Sequence, residues 1–139
     1  MNGQATCRIC VINDSPDFLE MMHALLEMEG YTVRVEHEIA ARLDKIEEWQ
    51  PDLMVIDILK GRTPIGWELI HQIQQHPTLA AIPIIVCTAA AQEVRGKEAM
   101  LAQQNIAVLL KPFEINDLLA LIEQLAGQRE QNLDEDMCS

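Results

Sequence analysis

The sequence predicts an α/β fold: a parallel sheet of five strands with helices on both faces. Three observations carry this. Short apolar runs at 7–12, 31–35, 53–59, 82–87 and 106–110 alternate with segments of helical spacing. Two of the runs, "LMVIDIL" and "IPIIVC", are apolar almost throughout, as strands buried on both faces must be. The length, 139 residues, is that of one domain able to bury a sizeable core.

Each element has its own signals. The first strand, "ICVIN", feeds a helix over 16–29, with Ser15 as N-cap, Pro16 at the first helical position and Gly30 as the stop. Its stripe is loose, through Phe18, Met22, Leu25 and Leu26, and Met21, Met22 and Met28 read as core filler. "YTVRV" alternates, with Thr32 and Arg34 on one side, which marks an edge strand. Helices are expected over 38–48 and 66–75, with Pro51 and Pro77 as the breakers that follow them. A fourth helix, 91–103, contains Gly96, which should make it locally adjustable. The last helix is the clearest, with Ile115, Leu118, Leu119, Ile122, Leu125 and Ala126 on one stripe. No internal repeat or long linker divides the chain. Residues 1–127 read as one domain and 128–139 as an acidic, flexible tail.

Composition narrows the function. The formal charge is −12; the tail carries −3 of it and the body −9. Ten Lys and Arg residues are scattered and outnumbered, which argues against nucleic acid and against anionic membrane surfaces. No apolar run approaches the ~20 residues of a membrane span. "MNGQATCR" lacks the pattern of a secretory signal, so a cytoplasmic protein is expected. Cys7 and Cys10 form a C-x-x-C, but on a strand their side chains point to opposite faces. With no second such pair or suitably spaced His, the four cysteines read as reduced thiols. His23, His37, His71 and His76 show no ligand spacing and read as surface or capping residues on helices or their flanks.

In an open α/β sheet, ligands bind beyond the carboxyl ends of the strands. Strand one ends in Asn13-Asp14, strand three carries Asp57, strand four ends in Thr88 and strand five in Lys111-Pro112. Singly, each is an ordinary turn, cap or surface residue. Asp57 is the hardest to explain as structure, because an ionised carboxylate in apolar surroundings costs several kcal/mol unless paired. Together they make a site. Asp14 and Asp57 can share a hard cation such as Mg2+, with Asn13 contributing an amide oxygen or orienting a bound water. A carboxylate can attack phosphorus, and phosphoryl transfer then needs charge neutralisation, which the Thr88 hydroxyl and Lys111 ammonium can supply.

With Asn13-Asp14, Asp57, Thr88 and Lys111-Pro112 in this order, the sequence resembles the receiver domain of two-component response regulators from about residue 7 to 127. The segment Gly66-Trp67-Glu68-Leu69 is similar to the stretch that follows the family's phosphorylated strand. The resemblance implies a flavodoxin-like sheet of order 2-1-3-4-5. It implies that Asp57 accepts a phosphoryl group from a histidine kinase or phosphotransfer protein. Mg2+ would be held by Asp14, Asp57 and the backbone carbonyl of Leu59, with Asn13 acting indirectly. Thr88 and Lys111 would contact the phosphoryl group, and the Lys111–Pro112 bond would be cis. The family also implies a protein-binding and candidate homodimer surface on the fourth helix, fifth strand and fifth helix.

Several positions depart from the family pattern. Asn13 stands where the family has an acid, which should weaken Mg2+ binding. Lys60-Gly61 replaces the frequent Met-Pro, and Val108 occupies the position of the aromatic switch. Leu59 and Ala90, two beyond Asp57 and Thr88, cannot orient an attacking water, so a long-lived aspartyl phosphate is expected. The reading is a stand-alone receiver, a signalling module that catalyses at most its own phosphorylation and dephosphorylation. A phosphate-independent pseudo-receiver is the alternative, supported by Asn13 and Val108. A phosphatase or nucleotide binder on the same fold is disfavoured: no glycine-rich loop follows strand one, and residue 59 is Leu where a second acid would be needed.

Overall fold

The computed structural model describes residues 7–37, 42–58, 66–89 and 91–138, with 127–138 as backbone alone. Strand β1 (Arg8–Asn13) lies inside the sheet, paired in parallel with β2 (Thr32–His37) on one side and β3 (Leu53–Ile56) on the other. Beyond β3 come β4 (Ile84–Thr88) and β5 (Ile106–Leu110), so the order is β2-β1-β3-β4-β5, all parallel. This is the expected topology, with "YTVRV" at one edge. All residues of β3 and β4 are buried.

Alternation along the strands divides the core in two. Ile9, Val11, Leu53, Val55, Ile85 and Cys87 face one layer. It is completed by Leu19, Met22 and Leu26 of α1 (Pro16–Met28) and by Leu118, Ile122 and Leu125 of α6 (Ile115–Cys138). Cys10, Ile12, Met54, Ile56, Ile84 and Val86 face the other. There they meet Ile46 of α2 (Leu43–Trp49), Ile70 and Ile73 of α3 (Gly66–Gln75), Val94 of α4 (Ala91–Val94) and Leu101 of α5 (Glu98–Gln103). Cys7 and Cys10 belong to opposite layers, as their spacing on a strand requires.

The ends of several elements differ from the sequence reading, each for a local reason. Helix α2 begins at Leu43, because Arg42 is extended (φ −125°, ψ 117°); residues 38–41 lie outside the described residues. His37 closes β2. The fourth predicted helix is two short ones. Gly96, at φ +80°, breaks it between α4 and α5, a backbone conformation that costs glycine little. Leu19 joins the buried stripe of α1, whereas Met21 and Met28 are exposed and only Met22 fills the core. Helical backbone continues from Ile115 to Cys138, through the segment read as a tail.

Caps follow expectation where the chemistry is local. Ser15 Oγ accepts the Phe18 N–H at 3.3 Å, with Pro16 next to it in the first turn. His76 Nδ1 accepts the Thr78 and Leu79 N–H groups at 3.2 and 3.3 Å, capping a 3-10 turn over Leu79–Ala81. Among the described residues, no helix is long and apolar enough to cross a membrane.

Burial pushes the Cys10 thiol up to about 12, with Glu36 adding to the rise and Arg34 opposing it. Burial also raises the Cys87 thiol to about 12. Both should therefore resist thiol reagents in the native protein at pH 8 and react on unfolding; mass mapping of native labelling at either would contradict the burial. Gly66 opens α3 hard against the end of β3. A Cβ there would lie 2.3 Å from Ile58 Cα and 2.7 Å from the Asp57 carbonyl oxygen, both backbone atoms. Gly66→Ala should cost roughly 1–3 kcal/mol, the range for forced overpacking, in a urea-unfolding comparison. An unchanged midpoint would mean that the helix start can shift freely.

Candidate functional site

The β1–β3 register pairs Ile12 with Ile56 and sets Asn13 beside Asp57 at the carboxyl edge. Asp57 lies one residue past β3, not inside the strand as the apolar run implied. It is still tied to the sheet, because its N–H donates to the Ile12 carbonyl at 3.2 Å. The residue is 8% exposed. Its Oδ2 accepts from Lys111 Nζ at 3.0 Å and from Asn13 Nδ2 at 3.4 Å. An ammonium and an amide therefore converge on one carboxylate oxygen.

Asn13 is nearly inaccessible. Its Oδ1 accepts the Ser15 N–H at 2.8 Å, a turn in which an Asn side chain bonds the backbone two residues on. That bond orients the amide, so its N–H donors are the groups facing Asp57. A carboxylate at residue 13 could accept the same Ser15 N–H but could donate nothing to Asp57. Asp14, half-buried, follows at the same edge.

Lys111 reaches Asp57 from β5, two strands away. Its N–H donates to the Thr88 carbonyl at 2.8 Å, which pins the end of β5 to the end of β4. The Lys111–Pro112 peptide is cis, as expected. Thr88 closes β4, wholly buried, at the same edge. Val108 is half-buried and packs on the layer of α2 to α5.

The structure brings Asp57, Lys111 and Asn13 into direct contact and sets Asp14 and Thr88 at the same edge. The Leu59 carbonyl and Ala90 lie outside the described residues. The sequence reading missed Phe18, whose ring centroid lies 4.1 Å from Lys111 Nζ. Its place in the core stripe of α1 hid this. The available signal was its distance from Asp14, about one helical turn into α1.

The donor chemistry fits a hard divalent ion through two carboxylates, Asp14 and Asp57, at one strand edge, alongside water; the Asn13 oxygen is taken by the Ser15 N–H and its N–H donors face Asp57. Among the described residues, no three His, Cys, Asp or Glu side chains cluster as a metal site, in keeping with the amide at residue 13. Asn13→Asp should therefore remove a donor and add a charge beside Asp57. Without divalent ions at pH 7, that repulsion should lower stability. Coulomb's law at ~4 Å bounds the effect between about 1 kcal/mol in water and about 4 kcal/mol near a protein surface. Millimolar Mg2+ should restore much of the loss. Urea midpoints that do not fall in the variant would show that residue 13 does not face Asp57.

The sequence profile of the response regulator receiver domain matches residues 9–123. A 14.6 kDa protein of Leptolyngbya boryana, described as uncharacterized, from the sodA1 3' region, is 31% identical over 89% of this chain and 93% of its own length. The response regulator MprA of Mycobacterium ulcerans is 31% identical over 92% of this chain, which spans about half of that relative (53%). Among solved structures, the chemotaxis response regulator CheY4 of Vibrio cholerae superposes with a TM-score of 0.71 at 19% identity, over 87% of this chain and 99% of that one. Response regulator TrrA of Thermotoga maritima, solved in complex with Mg(2+)-BeF, gives 0.69 at 24% identity, over 86% and 99%. The two solved structures share this chain's fold. The chain belongs to the response regulator receiver domain family.

Proposed function

We propose that this receiver accepts a phosphoryl group on Asp57 from a histidine kinase or phosphotransfer protein and signals through protein contacts. The observation that supports this most is the buried Asp57 carboxylate, with Lys111 Nζ at 3.0 Å and Asn13 Nδ2 at 3.4 Å on one oxygen. An Asp57 oxygen would attack phosphorus as the phosphorus–nitrogen bond of a phosphohistidine breaks. The electron pair would leave with the imidazole, which takes up a proton. Lys111 would neutralise an equatorial oxygen, and the Thr88 hydroxyl would bond another. Mg2+ held by Asp14, Asp57 and the Leu59 carbonyl would supply further neutralisation; that the similar TrrA was solved in complex with Mg(2+)-BeF supports this reading.

Residues 1–127 would be the signalling domain and 128–139 an acidic extension, working in the cytoplasm. The output surface would be the face of α4, α5, β5 and α6, which could also serve a homodimer, with the Gly96 break making it adjustable. Leu59 and Ala90 would give a long-lived phosphate. The pseudo-receiver alternative draws on Asn13 and Val108, but it leaves the convergence of Lys111 and Asn13 on Asp57 without a role.

A small phosphodonor such as phosphoramidate, with Mg2+, should add one phosphoryl group by intact mass, and Asp57→Asn should add none. Full labelling of Asp57→Asn, or a wild-type chain that stays unmodified, would overturn the assignment.

A further inference from the structure

Among the described residues, the Lys111 ammonium meets two groups. It donates to Asp57 Oδ2 at 3.0 Å, and it lies 4.1 Å from the centroid of the Phe18 ring. The Lys111 side chain is 24% exposed and that of Asp57 10%, so the pair is largely shielded from solvent. An ammonium within about 6 Å of an aromatic face is attracted by the ring quadrupole, most strongly when desolvated.

Phe18 is itself held in place. Its N–H donates to Ser15 Oγ at 3.3 Å, so the N-cap of α1 sets its height. Its ring is partly buried against the layer that contains Leu19, Met22 and Leu118. Ser15 in turn donates its N–H to Asn13 Oδ1 at 2.8 Å. The turn that orients the Asn13 amide toward Asp57 thus also carries the ring that meets Lys111. A leucine at residue 18 would fill much of the same apolar space but would offer no electron-rich face.

We propose that Phe18 is a positioning residue that acts through Lys111, its ring holding the ammonium over the Asp57 carboxylate. Its functional consequence rests on reading Asp57 as the phosphoacceptor; the ring–ammonium contact does not. As charge spreads onto the equatorial phosphoryl oxygens, an ammonium kept on the ring face can turn another N–H toward one of them without leaving its seat. A lysine without that seat must first be recaptured from other rotamers.

The test varies the ring's charge distribution while keeping its shape. In the full-length chain, Phe18 is replaced by 4-fluoro-, 3,5-difluoro- and 3,4,5-trifluorophenylalanine, which progressively deplete the face, and separately Phe18→Leu and Phe18→Trp are made. The rate of phosphorylation by phosphoramidate with Mg2+ should fall stepwise with fluorination, by about 3- to 10-fold across the series. Phe18→Trp should match or exceed wild type, and in a Lys111→Met background the fluorine series should be flat. By NMR, the ε-protons of Lys111 should show a ring-current shift that Phe18→Leu abolishes. Rates independent of fluorine content, or equal loss in the Lys111→Met background, would overturn the proposal. Should wild type take no phosphoryl group, the reading of Asp57 fails, and the ring-current shift decides the contact by itself.

Discussion

The arrangement at the sheet edge depends on one ion pair. Asp57 places a carboxylate, 8% exposed, at the end of a wholly apolar strand, and Lys111 brings its ammonium to 3.0 Å. Desolvating a carboxylate costs several kcal/mol, and only a well-placed cation with supporting hydrogen bonds offsets that. The cation comes from β5, so the pair requires correct registers of β3 on β4 and of β4 on β5. The second of these runs from Ile84↔Ile106 to Thr88↔Leu110. A slip of one residue would turn the Lys111 side chain to the other face of the sheet and leave Asp57 without it.

The core and the site are therefore solved together. Alternate residues of each inner strand fill the two layers, and the same strands run out into Asn13, Asp57, Thr88 and Lys111 at one edge. Backbone approaches are close at that edge. Gly66 lets α3 start against the Asp57 carbonyl, with its own N–H donating to the Ile58 carbonyl at 2.8 Å. The Asn13–Ser15 turn sets the direction of the Asn13 amide and the first turn of α1 in one step. The side chain at residue 13 then gives Asp57 a donor in place of a second negative charge.

Much of this was legible in the sequence, because strand ends carry function in a parallel sheet and the periods of strands and helices differ. Asn13-Asp14, Thr88 and Lys111 terminate apolar runs and Asp57 interrupts one, a pattern visible without any structure. What was not legible depends on contacts between distant segments. The end of β3 at Ile56 is set by where pairing with β4 stops, which apolarity at Ile58 conceals. The break at Gly96 and the late start of α2 are backbone events inside runs of good helix spacing. The amide of Asn13 could have faced either way until the Ser15 N–H claimed its oxygen. Phe18 looked like one more core residue because its other neighbour, Lys111, is separated from it by most of the chain.

A double-mutant cycle on folding stability tests the ion pair most directly. Urea unfolding of wild type, Asp57→Asn, Lys111→Met and the double variant, at pH 7 without divalent ions, isolates the interaction from the separate costs of burying each group. A coupling energy in the favourable direction, within the roughly 0.5–3 kcal/mol seen for contacting residues, is the predicted result. Strict additivity of the two substitutions would show that Lys111 does not hold the Asp57 carboxylate, and the account of the site would fail with it.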